Sequence, residues 1–388
     1  MNLLDLFFLI TLFTTVFVYL LYPLILLIIS SIHSLSLSKQ KTGNKNPLRK
    51  ISIIVPTYNE GAVIGSKLES LLETSYPEDL REIIVVDSGS TDNTCDVVRE
   101  FNDTAIVLFQ QEKRLGKANA INFALQEAKG EIVILSDANA KFKPNLLFEL
   151  VQKFDDNTGA VLPRLLPSGK LSFWDKIFYE VHHVYKNLES NSDSVFIVFG
   201  ELFAFRKALV TRIDEDAVSD DLEIAFTIRK KNYRIRYAPE VKVVEKIPES
   251  SEETRVQRTR RAFGILQSMK KNIDVLGNPK YGLYGVFIFP IHFVQMTIIP
   301  FFVLCLLFIL PVKIAELLLT IDQVFIVPLL LFAVFGLFII SFTKAREIVL
   351  VGYNFLATQL YVIIALVDLM RGKSYRIWRK ASTTRAES

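Results

Sequence analysis

Ile51-Ser52-Ile53-Ile54-Val55-Pro56-Thr57-Tyr58-Asn59-Glu60 is the stretch that decides the fold. Ile51 to Val55 is a short β-branched run ended by a proline, the pattern of a buried strand. Asn59-Glu60-Gly61 then turns the chain into a helix from about Ala62 to Glu73. The same unit repeats downstream. Glu82 to Val86 is a second strand, ended by Asp87-Ser88-Gly89-Ser90-Thr91-Asp92, whose Ser, Thr and Asp residues suit the cap of a helix from Thr94 to Phe101. Ala105 to Phe109 reads as a third strand, Gly116 to Ala128 as a helix, and Ile132 to Leu135 as a fourth strand. Strands alternating with helices predict an α/β fold with a mostly parallel sheet, and such sheets bind ligands beyond the carboxyl ends of their strands. Pro56, Asp87 and Asp137 all fall at such ends.

Outside this segment the chain changes character. It has 388 residues, of which 51% are hydrophobic and 22% charged, so the two kinds must be segregated. Residues 4–30, 283–312, 324–342 and 347–369 are strongly apolar, and a spanning helix needs about 20 apolar residues. The first run has no basic leader and no small-residue cleavage site, which predicts an uncleaved anchor. Lys39, Lys41, Lys45, Arg49 and Lys50 follow it and place the central domain on the cytoplasmic side of the cell membrane. Three spans after that domain would put the basic tail from Arg371 outside, so one run is expected to lie in the interface or re-enter. Pro290, His292, Gln295 and Pro300 make 283–312 the candidate. Cys95 and Cys305 lie in different regions and supply neither a disulfide framework nor a cysteine metal site. The net charge of +4, with basic residues beside membrane segments, favours anionic lipid and phosphates and excludes nucleic acid as the expected partner.

Successive carboxylates at strand ends, followed by cations, suit a nucleoside diphosphate bound through a metal. Asp137, in Ser136-Asp137-Ala138-Asn139, has the placement of a magnesium ligand, where one or two carboxylates join substrate phosphates. Taken alone it reads rather as a turn aspartate capping the next helix, and the order of the motifs around it reverses that. Asp87 and Glu60 are acceptors for a ribose hydroxyl or a base N–H, and Asp92 reads as a cap. Lys117 follows Gly116 at a helix start, where its ammonium and backbone N–H groups meet a phosphate. Of Asp220-Asp221, one is placed to take a proton from an attacking hydroxyl, although helix N-termini favour aspartate for electrostatic reasons alone. Arg255, Arg258, Arg260 and Arg261, with Lys270 and Lys271, form an amphipathic basic helix suited to the membrane surface and to clamping a diphosphate.

Together these pieces resemble the inverting family-2 glycosyltransferases, in the membrane-integrated branch that includes cellulose, chitin and hyaluronan synthases. The resemblance implies a GT-A (Rossmann-like) α/β domain between N- and C-terminal transmembrane helices. The expected boundaries are an anchor over 1–31, a linker over 32–49 and the GT-A domain over 50–250. An amphipathic interface region over 251–280, a transmembrane region over 281–370 and a basic tail over 371–388 complete the chain. It further implies a nucleotide-sugar site made by Pro56, Thr57, Tyr58, Glu60, Asp87, Lys117, Asp137, Gln257, Arg260 and Arg261. Mg2+ or Mn2+ is expected on Asp137 and Asn139. Asp221, seconded by Asp220, is the implied base, in Ser219-Asp220-Asp221 where the family has Thr-Glu-Asp. Gly200 and Glu201 resemble the acceptor loop, and Trp174 joins them as an acceptor candidate for which packing is an equal reading.

Two positions depart from the family pattern. Asn139 replaces a usual second Asp, leaving Asp137 as main metal ligand. Arg261 stands where processive members carry Trp, a residue associated with holding the acceptor terminus during polymerisation. The resemblance thus implies metal-assisted single displacement onto a growing polysaccharide, with transfer of one sugar to a lipid-linked acceptor as the alternative. A membrane scaffold or transporter with an inactive domain would require all the carboxylates to be incidental.

Overall fold

The computed structural model describes residues 2–37, 47–198, 202–319, 345–375 and 384. Among the described residues, seven strands form one mixed sheet: β1 (Ile51–Thr57), β2 (Arg81–Asp87), β3 (Ile106–Gln110), β4 (Ile132–Ser136), β5 (Thr158–Ser168), β6 (Leu202–Arg206) and β7 (Arg234–Lys246). Their order is β3-β2-β1-β4-β6-β5-β7. The first four strands pair in parallel, β6 is antiparallel to β4 and β5, and β5 and β7 pair in parallel across two register shifts. The four expected strands are all present. β3 is the edge strand and only half-buried, whereas β1, β2 and β4 are buried along nearly all their length. Central parallel strands covered on both faces need apolar side chains at successive positions, and Ile53-Ile54-Val55, Ile83-Ile84-Val85 and Val133-Ile134-Leu135 provide them.

The period of two divides those strands between two cores. Ile53, Val55, Ile83 and Ile134 face helices α3 (Gly61–Leu72), α4 (Thr94–Glu100) and α6 (Leu146–Val151). Ile54, Ile84, Val133 and Leu135 face the other way, into a core continuous with α5 (Lys117–Glu127), α8 (Asp220–Lys230) and α9 (Ser251–Lys271). This second core runs on to Tyr22, Tyr284 and Phe289, in the segments expected to meet the membrane.

Among the described residues, three helices are long and apolar enough to cross a membrane: Leu3–Ile32, Ile299–Leu319 and Val349–Met370. The first comprises α1 (Leu3–Val16), a five-residue π turn and α2 (Tyr22–Leu37), so helix continues into the expected linker. The 283–312 run divides in two. A π turn and α10 (Phe289–Thr297) make a short apolar segment, and α11 (Ile299–Leu319) supplies the long one. Pro290 follows closely on the π turn, and Pro300 sits in the first turn of α11, where proline is tolerated. The 324–342 run lies outside the described residues. The last helix, α12 (Ala345–Met370), packs along α9.

A buried polar junction joins the sheet domain to these segments. Helix α7 (Phe173–Ser192) starts at a capping box made by Ser172 and Asp175 and carries Glu189 inward. Glu189 accepts hydrogen bonds from the Tyr22 hydroxyl at 2.8 Å and from Phe196 N at 2.9 Å, and its Oε1 lies 2.6 Å from His292 Nε2. The His292 ring stacks on Phe196 with centroids 4.4 Å apart. Removing one partner strands the others at a cost of about 1–3 kcal/mol each. Glu189→Leu is therefore expected to lower the thermal midpoint in detergent by several degrees. An unchanged midpoint would show that the junction contributes no stability.

Candidate active site

The parallel register brings the sequence motifs together. Thr57 lies opposite Asp87, and β4 runs beside β1 with Leu135 opposite Ile54, so Asp137 emerges next to Pro56. The chain leaves β1 toward β2 on one side and returns on β4 at the other. The crevice between β1 and β4 is therefore the switch point where open α/β sheets bind ligands.

The first two motifs brace each other. Asn59, in the left-handed region at φ 51°, accepts from Thr91 N through Oδ1 at 2.8 Å, and its own N–H donates to Ser90 Oγ at 2.8 Å. Asp87 is fully buried and accepts from Ser90 N at 2.9 Å and from the Ser90 and Thr57 hydroxyls. Asp92 bridges two helix starts, accepting from Thr94 N at 3.0 Å and Gly61 N at 3.1 Å. Gly89 has φ +70°, and a Cβ there would come within 2.8 Å of the Lys113 backbone. Only glycine allows the 112–116 loop to close on this turn.

Above the crevice lies a cavity of ≈ 180 Å³ lined by Pro56, Thr57, Tyr58, Glu60, Lys117 and Asp137 from the sheet side. Asp220, Asp221, Arg260 and Arg261 close it from the other side. Lys117, the first residue of α5 after Gly116 (φ 96°), joins the two halves. Its Nζ is 2.9 Å from Asp137 Oδ1 and 3.2 Å from Asp220 Oδ2. Asp137 and the two carboxylates hold its pKa well above the usual lysine value, against the effect of burial.

Asp220 and Asp221 open α8, where the helix dipole favours the anion. Asp221 Oδ1 accepts from Ser219 Oγ at 2.5 Å and from Leu222 N at 2.9 Å. Burial, and next the charge of Asp220, outweigh those contacts and raise its pKa from 3.8 to about 6. A carboxylate that is ionised at neutral pH yet more basic than usual suits a general base. Arg260 reaches down from α9 and donates to Val218 O at 3.2 Å, and burial lowers its pKa despite the three aspartates nearby.

Close packing sets that geometry. A Cβ on Gly264 would stand 2.9 Å from Ser219 Cβ, so α9 lies directly on the turn before the two aspartates. Gln267 accepts from Val218 N at 3.0 Å and fixes the same turn. Gly264→Val is expected to push α9 away and to cost about tenfold or more in kcat through misplacement alone. A variant with wild-type kcat and melting behaviour would show that this contact is not needed.

Other expected site residues lie elsewhere. Asn139 donates from Nδ2 to Glu245 Oε1 at 3.1 Å and lines a separate cavity with Lys67, Lys141 and Lys246. Its buried Oδ1 has no hydrogen-bond partner. Gln257 and Trp174 line a third, mostly apolar cavity, and Arg261 lines both that cavity and the one holding the aspartates. Asp87 stands behind the cavity wall. Gly200 and Glu201 lie outside the described residues. Two lining residues carry little sequence signal. Arg114 stacks over the Tyr58 ring at 4.0 Å, and Ser88, just after β2, accepts from Leu115 N through Oγ at 3.2 Å. Arg114 is marked only by standing two residues before Gly116.

The described residues contain no cluster of three or more His, Cys, Asp or Glu suited to a metal ion. Asp137 with Asp220 across the cavity is nonetheless a set of hard oxygen donors. Magnesium and manganese accept one or two carboxylates when substrate phosphates and water complete the shell. The residues present fit that arrangement, with Asp137 as the protein's principal ligand.

Residues 52–213 match the model described as Glycosyl transferase family 2. The chain carries a family-2 glycosyltransferase domain. The match to the family-2 model ends before Asp220, so the two aspartates and the α9 arginines are joined to the domain by the fold. The poly-beta-1,6-N-acetyl-D-glucosamine synthase of Staphylococcus epidermidis is 28% identical over 224 residues, 55% of this chain and 54% of that protein. The probable glycosyltransferase YdaM of Bacillus subtilis is 26% identical over 236 residues, 57% and 56% of the two chains. This chain thus spans about half the length of the curated relatives it matches. The mannosyltransferase PcManGT of Pyrobaculum calidifontis, solved in complex with GDP-Man and Mn2+, matches 95% of this chain and 100% of its own at 26% identity and a TM-score of 0.70. This likeness supports the GT-A reading of the domain.

Proposed function

We propose that this chain transfers a sugar from a nucleoside-diphosphate sugar to an acceptor hydroxyl by single displacement with inversion. The observation that carries the proposal is the cavity in which Lys117, Asp137, Asp220, Asp221 and Arg260 converge. Thr57, Tyr58 and Glu60 would receive the nucleoside beside the Asp87 loop, and Lys117 and Arg260 would hold the diphosphate. Mg2+ or Mn2+ on Asp137 would supply charge neutralisation for the departing diphosphate. Asp221 takes the proton from the acceptor hydroxyl as that oxygen bonds to the anomeric carbon. The bond from the anomeric carbon to the diphosphate oxygen breaks in the same step, and the nucleoside diphosphate leaves. One displacement inverts the anomeric centre.

The three apolar helices, and the basic residues 39–50 after the first, support an integral multi-pass protein with its catalytic domain in the cytoplasm. The likeness to the poly-beta-1,6-N-acetyl-D-glucosamine synthase supports a polysaccharide acceptor. Arg261, in place of the tryptophan of processive members, supports addition of one sugar to a lipid-linked acceptor instead. Purified protein in nanodiscs, given UDP- and GDP-sugars with magnesium or manganese, tests the proposal. Metal-dependent release of nucleotide that disappears in Asp137→Ala is expected. Release that survives this substitution would overturn the donor-site assignment. Product length would separate the two acceptors.

A further inference from the structure

Lys67, on α3, is 1% exposed, and a lysine is seldom buried this far unless its ammonium is paired. Its Nζ donates to Ser136 Oγ at 2.7 Å and to Ala140 O at 2.8 Å, and it lies 3.6 Å from the centroid of the Phe142 ring. Ser136 is the last residue of β4, and Ala140 N closes the turn that follows by donating to Asp137 O at 3.3 Å. The ammonium thus bridges the residue before this turn and the last residue in it. Burial pushes the Lys67 pKa well below the usual lysine value, and the charge of Asp137 acts the other way. Lys67 lines the cavity that holds Asn139, whereas Asp137 lines the one that holds Lys117. Ala138 lines both, so the turn is the wall between them.

We propose that Lys67 is a positioning residue for the metal site, holding the Asp137 turn in the conformation that presents its carboxylate to the ion and the diphosphate. The inference rests on the reading of Asp137 as the metal ligand. Asn139 is what makes such a support necessary. It is neutral and tied to Glu245 at 3.1 Å, so Asp137 supplies the carboxylate of this turn alone, and no neighbour on the turn corrects its aim. Lys117 also holds Asp137, 2.9 Å from Oδ1, but it does so from the donor cavity and is shared with Asp220. A diphosphate entering there competes for that ammonium. Lys67 lies behind the wall, and its two hydrogen bonds hold whether the donor cavity is empty or filled. Packing alone does not call for a lysine here, because a methionine of similar length would fill the space against Phe142 with no charge to desolvate. Groups that orient a metal ligand from behind typically carry about 10–100-fold of the metal affinity.

The test reads metal binding without turnover. The full chain in detergent is titrated with Mn2+ beside UDP or GDP, whichever the wild type binds, and free Mn2+ is followed by electron paramagnetic resonance. Lys67→Met is expected to bind Mn2+ about tenfold more weakly, at a melting temperature within a few degrees of wild type. Ser136→Ala, which keeps the lysine and removes one acceptor, is expected to lose a smaller part of that affinity. The double variant should bind no more weakly than Lys67→Met, because both substitutions break the same contact. In the activity assay the Mn2+ concentration at half-maximal rate should rise in step, and saturating Mn2+ should restore most of kcat. A merely structural role would lower kcat and melting temperature together and leave the Mn2+ midpoint in place. Unchanged Mn2+ affinity in Lys67→Met would overturn the proposal, and if that variant does not fold, unchanged affinity in Ser136→Ala would do the same. Wild-type protein that binds no Mn2+ beside the nucleotide refutes the metal reading of Asp137 and this role with it. Wild-type binding that the variants match refutes the role of Lys67 alone.

Discussion

Asp221→Asn is expected to lower kcat by about 10²–10⁴ while leaving donor affinity within about twofold, because the amide keeps the shape and loses the basicity. Asp221 must be ionised to accept a proton, and burial with the Asp220 charge raises its pKa to about 6. The wild-type kcat/KM is therefore expected to be flat at neutral pH and to fall about tenfold per unit below about 6. Stability should respond in the opposite direction. The folded protein binds the Asp221 proton more tightly than the unfolded chain, whose carboxyl titrates near 3.8. This residue's contribution is thus most favourable below the unfolded value and is lost as pH rises through about 6. At neutral pH the buried anion costs on the order of 1–3 kcal/mol. Asp221→Asn should consequently melt higher than wild type at neutral pH, with the difference fading toward pH 4. A variant that is inactive and less stable at neutral pH would indicate a structural role for this carboxylate.

Lys117→Met should have the largest effect on donor binding. The ammonium lies between Asp137 and Asp220 and next to Asp221, so its removal leaves three carboxylates facing Arg260. Truncating one member of a desolvated charge cluster costs about 2–5 kcal/mol, or at least about 30-fold in affinity. Lys117 also helps to hold the Asp221 pKa down, so the acid limb of any residual activity should move to higher pH. Lys117→Arg should recover part of the affinity. Isothermal titration with the nucleotide sugar, together with a pH profile, checks both effects. Donor affinity unchanged in Lys117→Met would remove the ammonium from the binding site.

The parallel half of the sheet is legible because its strands are fully covered. Ile51 to Val55 and Ile132 to Leu135 are unbroken apolar runs stopped by Pro56 and by Ser136-Asp137, and the observed strands begin where those runs begin. The gathering of Thr57, Asp87 and Asp137 at one edge follows from strand alternation alone. Orientation does not. Asn139 is two residues from Asp137, yet it faces Glu245 on β7, a strand whose parallel pairing with β5 is set by tertiary packing. Gln257 and Arg260 lie on one helix and serve different cavities, because the close contact of Gly264 with Ser219 fixes which face of α9 meets the aspartates. Helix α7 is hidden for a related reason. Its inward face carries Lys186, Glu189 and Ser190, which pattern reading takes for a surface, and only Tyr22 and His292, distant in sequence, reveal the partners of Glu189. The 283–312 run is strongly apolar, and its division falls at Ile298, just before Pro300 in the first turn of α11.

The most direct test of single displacement at Asp221 is the anomeric configuration of the first product. Purified protein with the nucleotide sugar it turns over, the preferred metal and an acceptor can be followed by proton NMR within the first turnovers. The proposed mechanism predicts a product of opposite anomeric configuration to the donor, with no such product from Asp221→Asn. A product that retains the donor configuration would contradict it, because retention requires a covalent intermediate or a different attacking face.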